Sequence, residues 1–581
     1  MVKTQRSKRL FSGERTGLIM AVFFVLGAVS IGRLFYLQVV RHGGYMEESV
    51  GQHQLDREIL QSRGEIFMQD YKNNQLAPLV INREMGVLFI VPKEIVEKEK
   101  TAEALAEILE SDQTLRIAVQ AEILEKAQKQ GDPYEPIRHK VEPEIVAKIK
   151  DLKLAGVYFS EELIRYYPEK ESAGQLTGFL GFDGEKQVGQ YGLEGYFEKE
   201  LAGEKGSILA DKDLAGRLIP ATEKQLKEAE DGEDIILTLD RVVQGKAYEF
   251  IKEAVENSAA INGMMIVLEP TSGKVQALAS YPSFDPNNYG QVEDIKYYRN
   301  LAVSEPYEPG SIFKIITMSA GLDSGAVRPG DTFVDTGETR IGPEVIRNAS
   351  NKKYGKVNMA GILENSINNG TVFIARKTGR ETFKKYVENF GLGQLTGIEL
   401  TGEAKGDISS LDEQREIYLA TASFGQGLTV TPIQMAAAVA TIVNNGRLVK
   451  PTIIDYIKKN NEKVVENETT AGEQIISPET AQVVKAMMVS VVKNGQAKRA
   501  QIPGYNIGGK TGTAQIAGKS GYSEEMNHSF VAFGPLQNTR FVIVVKLSKP
   551  QRQWAESTAI PPFVKMANFL LQYYQIPPEN Q

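Results

Sequence analysis

A chain of 581 residues is longer than one hydrophobic core usually supports, so two or more domains are expected. With 42% hydrophobic and 24% charged residues it reads as ordinary globular protein, neither disordered nor a multi-span membrane protein. A net charge of -7 supplies no general positive field and argues against nucleic acid as a partner.

There is no cysteine, which excludes disulfides and thiolate chemistry. Four scattered histidines (His42, His53, His139 and His528), with no His-Glu-x-x-His pattern, argue against a metal site, and no cofactor is expected.

In chain order, Thr16–Gly32 is an uncharged apolar run that continues past Arg33 as LFYLQVV, at the short end of the roughly 17–25 residues a spanning helix needs. Arg33 can extend its stem and place its guanidinium at the interface. Lys3, Arg6, Lys8, Arg9 and Arg15 precede the run, so the positive-inside rule places a cytoplasmic tail at 1–15, an anchor at 16–40 and the remaining chain outside. A cleaved leader is the alternative, with Ala28 and Ser30 spaced like a cleavage site; the apolar continuation through Val40, with Tyr36 as an interfacial aromatic, favours a retained anchor.

Residues 41–235 form a polar region of short strands and one helical stretch, with little chemistry of its own. Lys93–Lys129, rich in Ala, Glu, Leu and Lys, suits an amphipathic helix read here as a solvated face. The glycine-rich run Gly174–Gly206 reads as turns and close backbone contacts, and could be a docking surface.

From about residue 236 the apolar segments lengthen. MMIVL (264–268) and KVQALAS (274–280) read as an antiparallel pair, as do SFVAFGP (529–535) and RFVIVVKL (540–547). Between them Thr431 as N-cap, Pro432 at the first position, the run IQMAAAVATIV and Gly446 as terminator signal a helix. The expectation is an α+β domain over 236–581, an antiparallel sheet packed with helices and fed by strands from both ends.

Three short motifs carry the chemistry: Ser-x-x-Lys, Ser-x-Asn and Lys-Thr-Gly. Ser-x-x-Lys occurs at Ser311/Lys314, Ser350/Lys353 and Ser490/Lys493, and Lys-Thr-Gly at Lys377–Gly379 and Lys510–Gly512; Ser366-Ile367-Asn368 is the single Ser-x-Asn. Serine and lysine three apart share a helix face, which brings hydroxyl and amine within reach. Ser311 follows Pro309-Gly310 and opens an apolar run, so it sits at a helix start, where free N–H groups can stabilise an oxyanion. Ser350 lies in a polar loop, Ser490 lies inside a helix, and Lys377 precedes a helix end terminated by Gly379. Lys510 lies in IGGKTGTAQI, where glycines let a substrate approach an edge strand. Ser311, Ser366-Asn368 and Lys510 form the self-consistent set.

YEPGSIFK, ENSINNG, FGQGLTVTPIQMA, GGKTGTAQ, LEPTSGKVQALASYPSFDPNNY and HSFVAFGP resemble segments of class B penicillin-binding proteins, over roughly residues 236–575. SRGEIF (62–67) and YGLEGYFEKELAGEKG resemble the signatures of that family's pedestal, although Phe67-Met68-Gln69-Asp70 departs from the usual continuation. The YEPGS form resembles the division-type (FtsI-like) subfamily. The resemblance implies a single transmembrane helix, an elongated pedestal (dimerisation-type) domain over 41–235, and a transpeptidase domain with a five-stranded antiparallel sheet. It implies a peptidoglycan D,D-transpeptidase in the cytoplasmic membrane that is acylated by β-lactams and works with a SEDS-type glycosyltransferase and other division proteins. It also implies Ser311 as nucleophile, Lys314 as its base, Ser366 as proton relay and Asn368 as orienter of the stem amide. Lys510, Thr511, Gly512 and Thr513 would form the wall that receives the terminal carboxylate, with the Ser311 and Thr513 N–H groups as oxyanion hole.

The competing readings are a β-lactamase-like hydrolase, a β-lactam sensor or scaffold, an elongation-type transpeptidase, and a histidine-triad hydrolase. No Glu-x-x-Asn lies between Asn368 and Lys510, as a class A lactamase would need, and after residue 235 His528 is the sole histidine. Residues 41–235 carry no Glu-Asp-x-x-Phe signature of a bifunctional glycosyltransferase.

Overall fold

The structure, a computed structural model, describes residues 12–41, 54–59, 61–129, 131–184, 186–211, 225–460, 462–466, 472–518 and 521–579. Lys3, Arg6, Lys8 and Arg9 of the expected tail lie outside the described residues. Helix α1 (Ser12–Phe35) runs on as a π-turn over Tyr36–Val40. Within it Gly17–Val40 is long and apolar enough to cross a membrane, and its large apolar side chains are exposed. The Arg33 guanidinium lies 5.6 Å from the Tyr36 ring, beside the aromatic that marks the end of the apolar run.

The chain divides into two compact units, residues 1–62 with 203–231, and residues 63–202 with 232–581. In the first, strand Gly206–Asp211 pairs antiparallel with Gln54–Ile59 and with Gln225–Lys227.

The second unit holds strands β1 (Ile66–Asp70) and β2 (Gln75–Ile90), joined by a turn in which the Asp70 carboxylate accepts the Asn73 N–H at 3.1 Å and its side-chain amide at 2.7 Å. This turn lies just where the sequence leaves the pedestal signature. Strand β3 (Asp234–Asp240) pairs in parallel with β1 and antiparallel with Ile454–Lys459, in a seven-stranded sheet. The expected boundary at 235/236 thus falls inside a strand.

Lys93–Lys129 forms two helices, Lys98–Leu109 and Gln113–Gln128, rather than one. They are not simply a solvated face: Ala102, Leu105, Ala106 and Ile123 are buried with Leu88, Ile90 and Val141 in a small separate core. Within Gly174–Gly206 three short helices and a hairpin form around close backbone approaches. A Cβ on Gly192, at φ 44°, would stand 2.4 Å from the Gly178 nitrogen. The two pedestal signatures meet there. Arg63 Nε donates to Glu194 at 2.9 Å, Arg63 Nη2 to Glu198 at 2.7 Å, and Arg165 Nε to Glu194 at 2.7 Å. Glu194 is fully buried; burial alone would raise its pKa, and the charges of Arg165 and Arg63 more than offset this and hold it below the usual value.

A five-stranded sheet comprises β4 (Asn262–Leu268), β5 (Val275–Tyr281), β6 (Gly508–Gly518), β7 (Gly521–Gly534) and β8 (Phe541–Ser548), antiparallel in the order β5-β4-β8-β7-β6. Both expected hairpins are present, and β6 is an edge strand as its glycines suggested. β8 is buried along its whole length, which requires cover on both faces. Helices Pro432–Val443 and Ile560–Tyr573 supply part of that cover. The site is framed by helices α2 (Lys314–Asp323) and α3 (Asn368–Thr378); α5 (Pro478–Lys493) packs on α2, and α4 (Pro432–Val443) on α5 and the sheet. α4 begins with a capping box between Thr431 and Gln434 and is buried at every position, so its apolar composition reflects a core helix.

Candidate active site

Ser311 lies in a 3-10 turn, Gly310–Phe313, that leads into α2. Gly310 takes φ 57°, a region that disfavours side chains, and donates its N–H to Gly425 O at 2.9 Å. A Cβ on Gly310 would stand 2.9 Å from Ala514 Cβ, and one on Gly512 would stand 2.9 Å from Pro309 O. The Pro-Gly turn and the Lys-Thr-Gly strand therefore touch with little but backbone between them, which places Ser311 beside Thr513.

Three residues on, Lys314 is fully buried. Its amine donates to Ser366 O and Asn368 Oδ1, both at 2.6 Å, and lies 3.2 Å from Ser366 Oγ. Ser366 takes φ 54° in the link before α3, and that bend turns both its oxygens toward the lysine. Asn368 is anchored from its other end, its Nδ2 donating to Arg347 O at 2.9 Å.

Lys510, also fully buried, donates to Ser366 Oγ and to Thr511 O, each at 3.1 Å. Strand alternation sets Thr511, Thr513 and Gln515 on one face of β6, and all three line a cavity of about 1070 Å³. Ser311, Ser366 and Asn368 line the same cavity, so the motif residues from three separate elements converge on one cleft. Among the described residues Ser311 Oγ makes no hydrogen bond to Lys314; the lysine reaches the cleft through Ser366 and Asn368.

Burial, and then the charge of Lys510, holds the Lys314 amine well below the ordinary lysine value. Burial pushes Lys510 down to about 7, with the Glu556 carboxylate opposing. A neutral Lys314 amine can donate to Ser366 O and Asn368 Oδ1 and still present a lone pair, which is what a general base requires.

The other motif copies lie elsewhere. Ser490 sits in α5 and donates to Glu364, and α3 ends at Thr378 with Gly379 at φ 78°. Ser350, in a short 3-10 turn, lines the cleft but belongs to its opposite wall, without a buried lysine. His528, paired in register with Thr513, is buried with Nδ1 2.9 Å from Thr558 Oγ1, and burial lowers its pKa to about 4. It does not line the cleft, so the histidine-triad reading finds no support in the geometry.

Sequence reasoning did not single out Arg347, Tyr354, Trp554 or Glu556, which also line the cleft. Trp554 carried a signal, as the sole tryptophan of the chain. The wall residues 344–354 carried none, because a four-residue strand, Glu344–Arg347, and the short turn after it are too brief to show a period.

Residues 263–567 match the penicillin binding protein transpeptidase domain, and residues 58–237 the penicillin-binding protein dimerisation domain. The chain is 35% identical over 484 residues to stage V sporulation protein D of Bacillus subtilis, covering 81% of this chain and 73% of the relative. It is 31% identical to penicillin-binding protein PbpB of Mycolicibacterium smegmatis, covering 98% and 92%. Its fold is similar to the crystal structure of penicillin-binding protein 3 from Mycobacterium tuberculosis complexed with aztreonam, with TM-score 0.68, 25% identity, and coverage of 90% and 98%. The chain belongs to the class B penicillin-binding proteins, the FtsI-like group that joins a dimerisation domain to a serine transpeptidase domain.

Proposed function

We propose that Ser311 is the acylated nucleophile of a peptidoglycan D,D-transpeptidase. The observation that carries this is the hydrogen-bonded set in which buried Lys314 and Lys510 stand behind Ser366 and Asn368, two residues that line the cleft Ser311 borders.

Lys314, neutral, takes the Ser311 proton as Oγ attacks the carbonyl of the penultimate D-alanine of a stem peptide. The tetrahedral oxyanion is held by the Ser311 and Thr513 backbone N–H groups. The proton passes by way of Ser366 to the departing D-alanine amine, the C–N bond breaks, and an acyl-serine remains. Asn368 orients the stem amide, while Lys510 with the Thr511 and Thr513 hydroxyls holds the terminal carboxylate, Gly512 leaving room for its approach. The amine of a neighbouring stem then attacks the ester, forming the cross-link and returning the Ser311 hydroxyl. A β-lactam enters as a mimic of the D-alanyl-D-alanine end, and its opened ring stays on Ser311.

The apolar helix supports a single-pass anchor in the bacterial cytoplasmic membrane, N-terminus inside and catalytic domain outside. Domains at 1–15, 16–40, 41–235 and 236–581, a septal role, and a SEDS-type glycosyltransferase with other division proteins as partners complete the reading.

Labelling of the purified protein with a fluorescent penicillin tests it. Covalent label on the wild type and none on Ser311→Ala is the expected result; label retained by Ser311→Ala removes Ser311 from the role.

A further inference from the structure

Across the cleft from the Lys-Thr-Gly strand stands the wall formed by residues 344–354. Behind it lies Asp335, 3% exposed, at the end of strand Thr332–Asp335. No motif contains it, and the mechanism above makes no use of it.

Its carboxylate accepts four N–H groups. Two are backbone, Gly337 at 3.1 Å and Tyr354 at 2.9 Å; two are side-chain amides, Asn348 at 2.8 Å and Asn369 at 3.2 Å. Among the described residues none of its partners is a cation. A buried carboxylate without a counter-ion persists only where several N–H groups converge on it. Here the convergence joins three separate stretches of chain: the loop at 337, the wall at 348–354, and the first turn of α3.

The two amides it holds are the immediate chain neighbours of the residues that anchor the site. Asn369 follows Asn368, whose Oδ1 receives the Lys314 amine at 2.6 Å. Asn348 follows Arg347, whose carbonyl receives Asn368 Nδ2 at 2.9 Å. Asn348 Oδ1 also accepts the Asn369 N–H at 3.2 Å, and Asn348 Nδ2 reaches Lys352 O at 3.0 Å, so the wall and α3 are cross-tied.

We propose that Asp335 is a positioning residue for acyl transfer, fixing Asn348 and Asn369 so that the Asn368 amide holds both the Lys314 amine and the cleft wall in the reactive arrangement. It touches neither substrate nor Ser311 and acts through Asn368. The inference rests on Ser311 and Lys314 having the roles given above.

The test is the time course of acylation of the detergent-solubilised full chain by a fluorescent penicillin. Asp335→Asn keeps the size and shape of the side chain but turns one acceptor toward its donors into a competing donor. Misplacement of reacting groups by a fraction of an ångström to an ångström costs roughly 10- to 100-fold. The expected result for Asp335→Asn is therefore a fall of that order in the rate at saturating penicillin, with the half-saturating concentration changed less than about threefold. A folded Asp335→Asn protein that acylates at the wild-type rate overturns the proposal. So does one whose reactive fraction is reduced while that fraction reacts normally, since that marks a purely structural role. Should Asp335→Asn fail to fold, Asn369→Ala deletes one bond of the four, and an unchanged saturating rate there overturns it equally. Ser311→Ala serves as the control: label persisting there defeats the nucleophile assignment, whereas its loss beside a fast Asp335→Asn defeats this inference alone.

Discussion

The amine of Lys510 stands 3.1 Å from the hydroxyl of Ser366, a contact that ties an edge strand to a loop 144 residues earlier in the chain. The same hydroxyl lies 3.2 Å from the Lys314 amine. One hydroxyl between two amines has a single proton to give and can accept from both. With Lys510 charged and Lys314 neutral, the hydroxyl accepts from the first and donates to the second, so the proton's direction of travel is set by which lysine holds its charge.

Removing that hydroxyl is expected to break the path while leaving the cleft in place. Ser366→Ala should lower the saturating acylation rate by roughly 10²- to 10⁴-fold, the range of general acid–base contributions, with a smaller change in half-saturation. Stopped-flow acylation with a chromogenic cephalosporin measures both. An unchanged rate would mean that the proton leaves by another route.

The depressed lysines have a consequence for stability with a definite sign. Lys510 titrates at about 7 in the folded chain and near the ordinary lysine value of 10.5 when unfolded. Between those values the unfolded chain binds more protons, so the stability contribution rises with pH across that window; below about 7 both forms are protonated and the penalty is constant. Lys510→Met removes the penalty. Its thermal stability should exceed that of the wild type most at pH 7, and the gap should shrink toward pH 9.5 at up to about 1.4 kcal/mol per pH unit. A gap independent of pH would show that Lys510 keeps an ordinary pKa.

The remaining Ser-x-x-Lys serines give a sharper control than Ser311 alone. Ser350→Ala is expected to label with penicillin even though Ser350 borders the cleft, and Ser490→Ala to label although its bond to Glu364 is lost. Loss of label in a folded Ser350→Ala protein would move the nucleophile to the opposite wall.

Ion pairs of the pedestal should differ greatly in worth. Glu194 is buried between Arg63 and Arg165, so Glu194→Ala strands the buried Arg165, leaves Arg63 with Glu198 alone, and should cost about 3–5 kcal/mol. Arg83 and Glu142 pair at 2.6 Å with side chains 34% and 51% exposed, and Arg83→Ala should cost under about 1 kcal/mol. Scanning calorimetry distinguishes the two, and equal losses would contradict the argument from burial.

Much of this fold was legible because its signals are local. Short continuous apolar runs in MMIVL and RFVIVVKL mark strands buried on both faces, which the structure places at Asn262–Leu268 and Phe541–Ser548. Thr431-Pro432 marks a helix start that the structure closes with a capping box. Lys314, Ser366, Asn368 and Lys510 could be chosen together because short spacings and flanking glycines or prolines distinguish them from the other copies. Asp335 could not be chosen. Its side-chain partners lie 13 and 34 residues away, at separations that follow no helix or strand period. The two helices within Lys93–Lys129 read as a solvated surface because their buried side is mostly alanine and isolated leucine or isoleucine, a weak apolar stripe. The low pKa of Lys510 was hidden for another reason: it depends on burial, which no spacing encodes.

The parallel pairing of β3 with β1, Ile235 beside Ile66, bears on how the protein is made and handled. A fragment begun at residue 236 would cut β3 short and strip it of its neighbour, baring backbone donors and acceptors that invite pairing with other chains. Because β1 leaves the ribosome first, its partner arrives only after some 170 further residues are synthesised, and parallel strands so far apart form slowly. A cut at residue 236 therefore severs a strand pairing that the two halves share, and the chain is better handled whole than divided there.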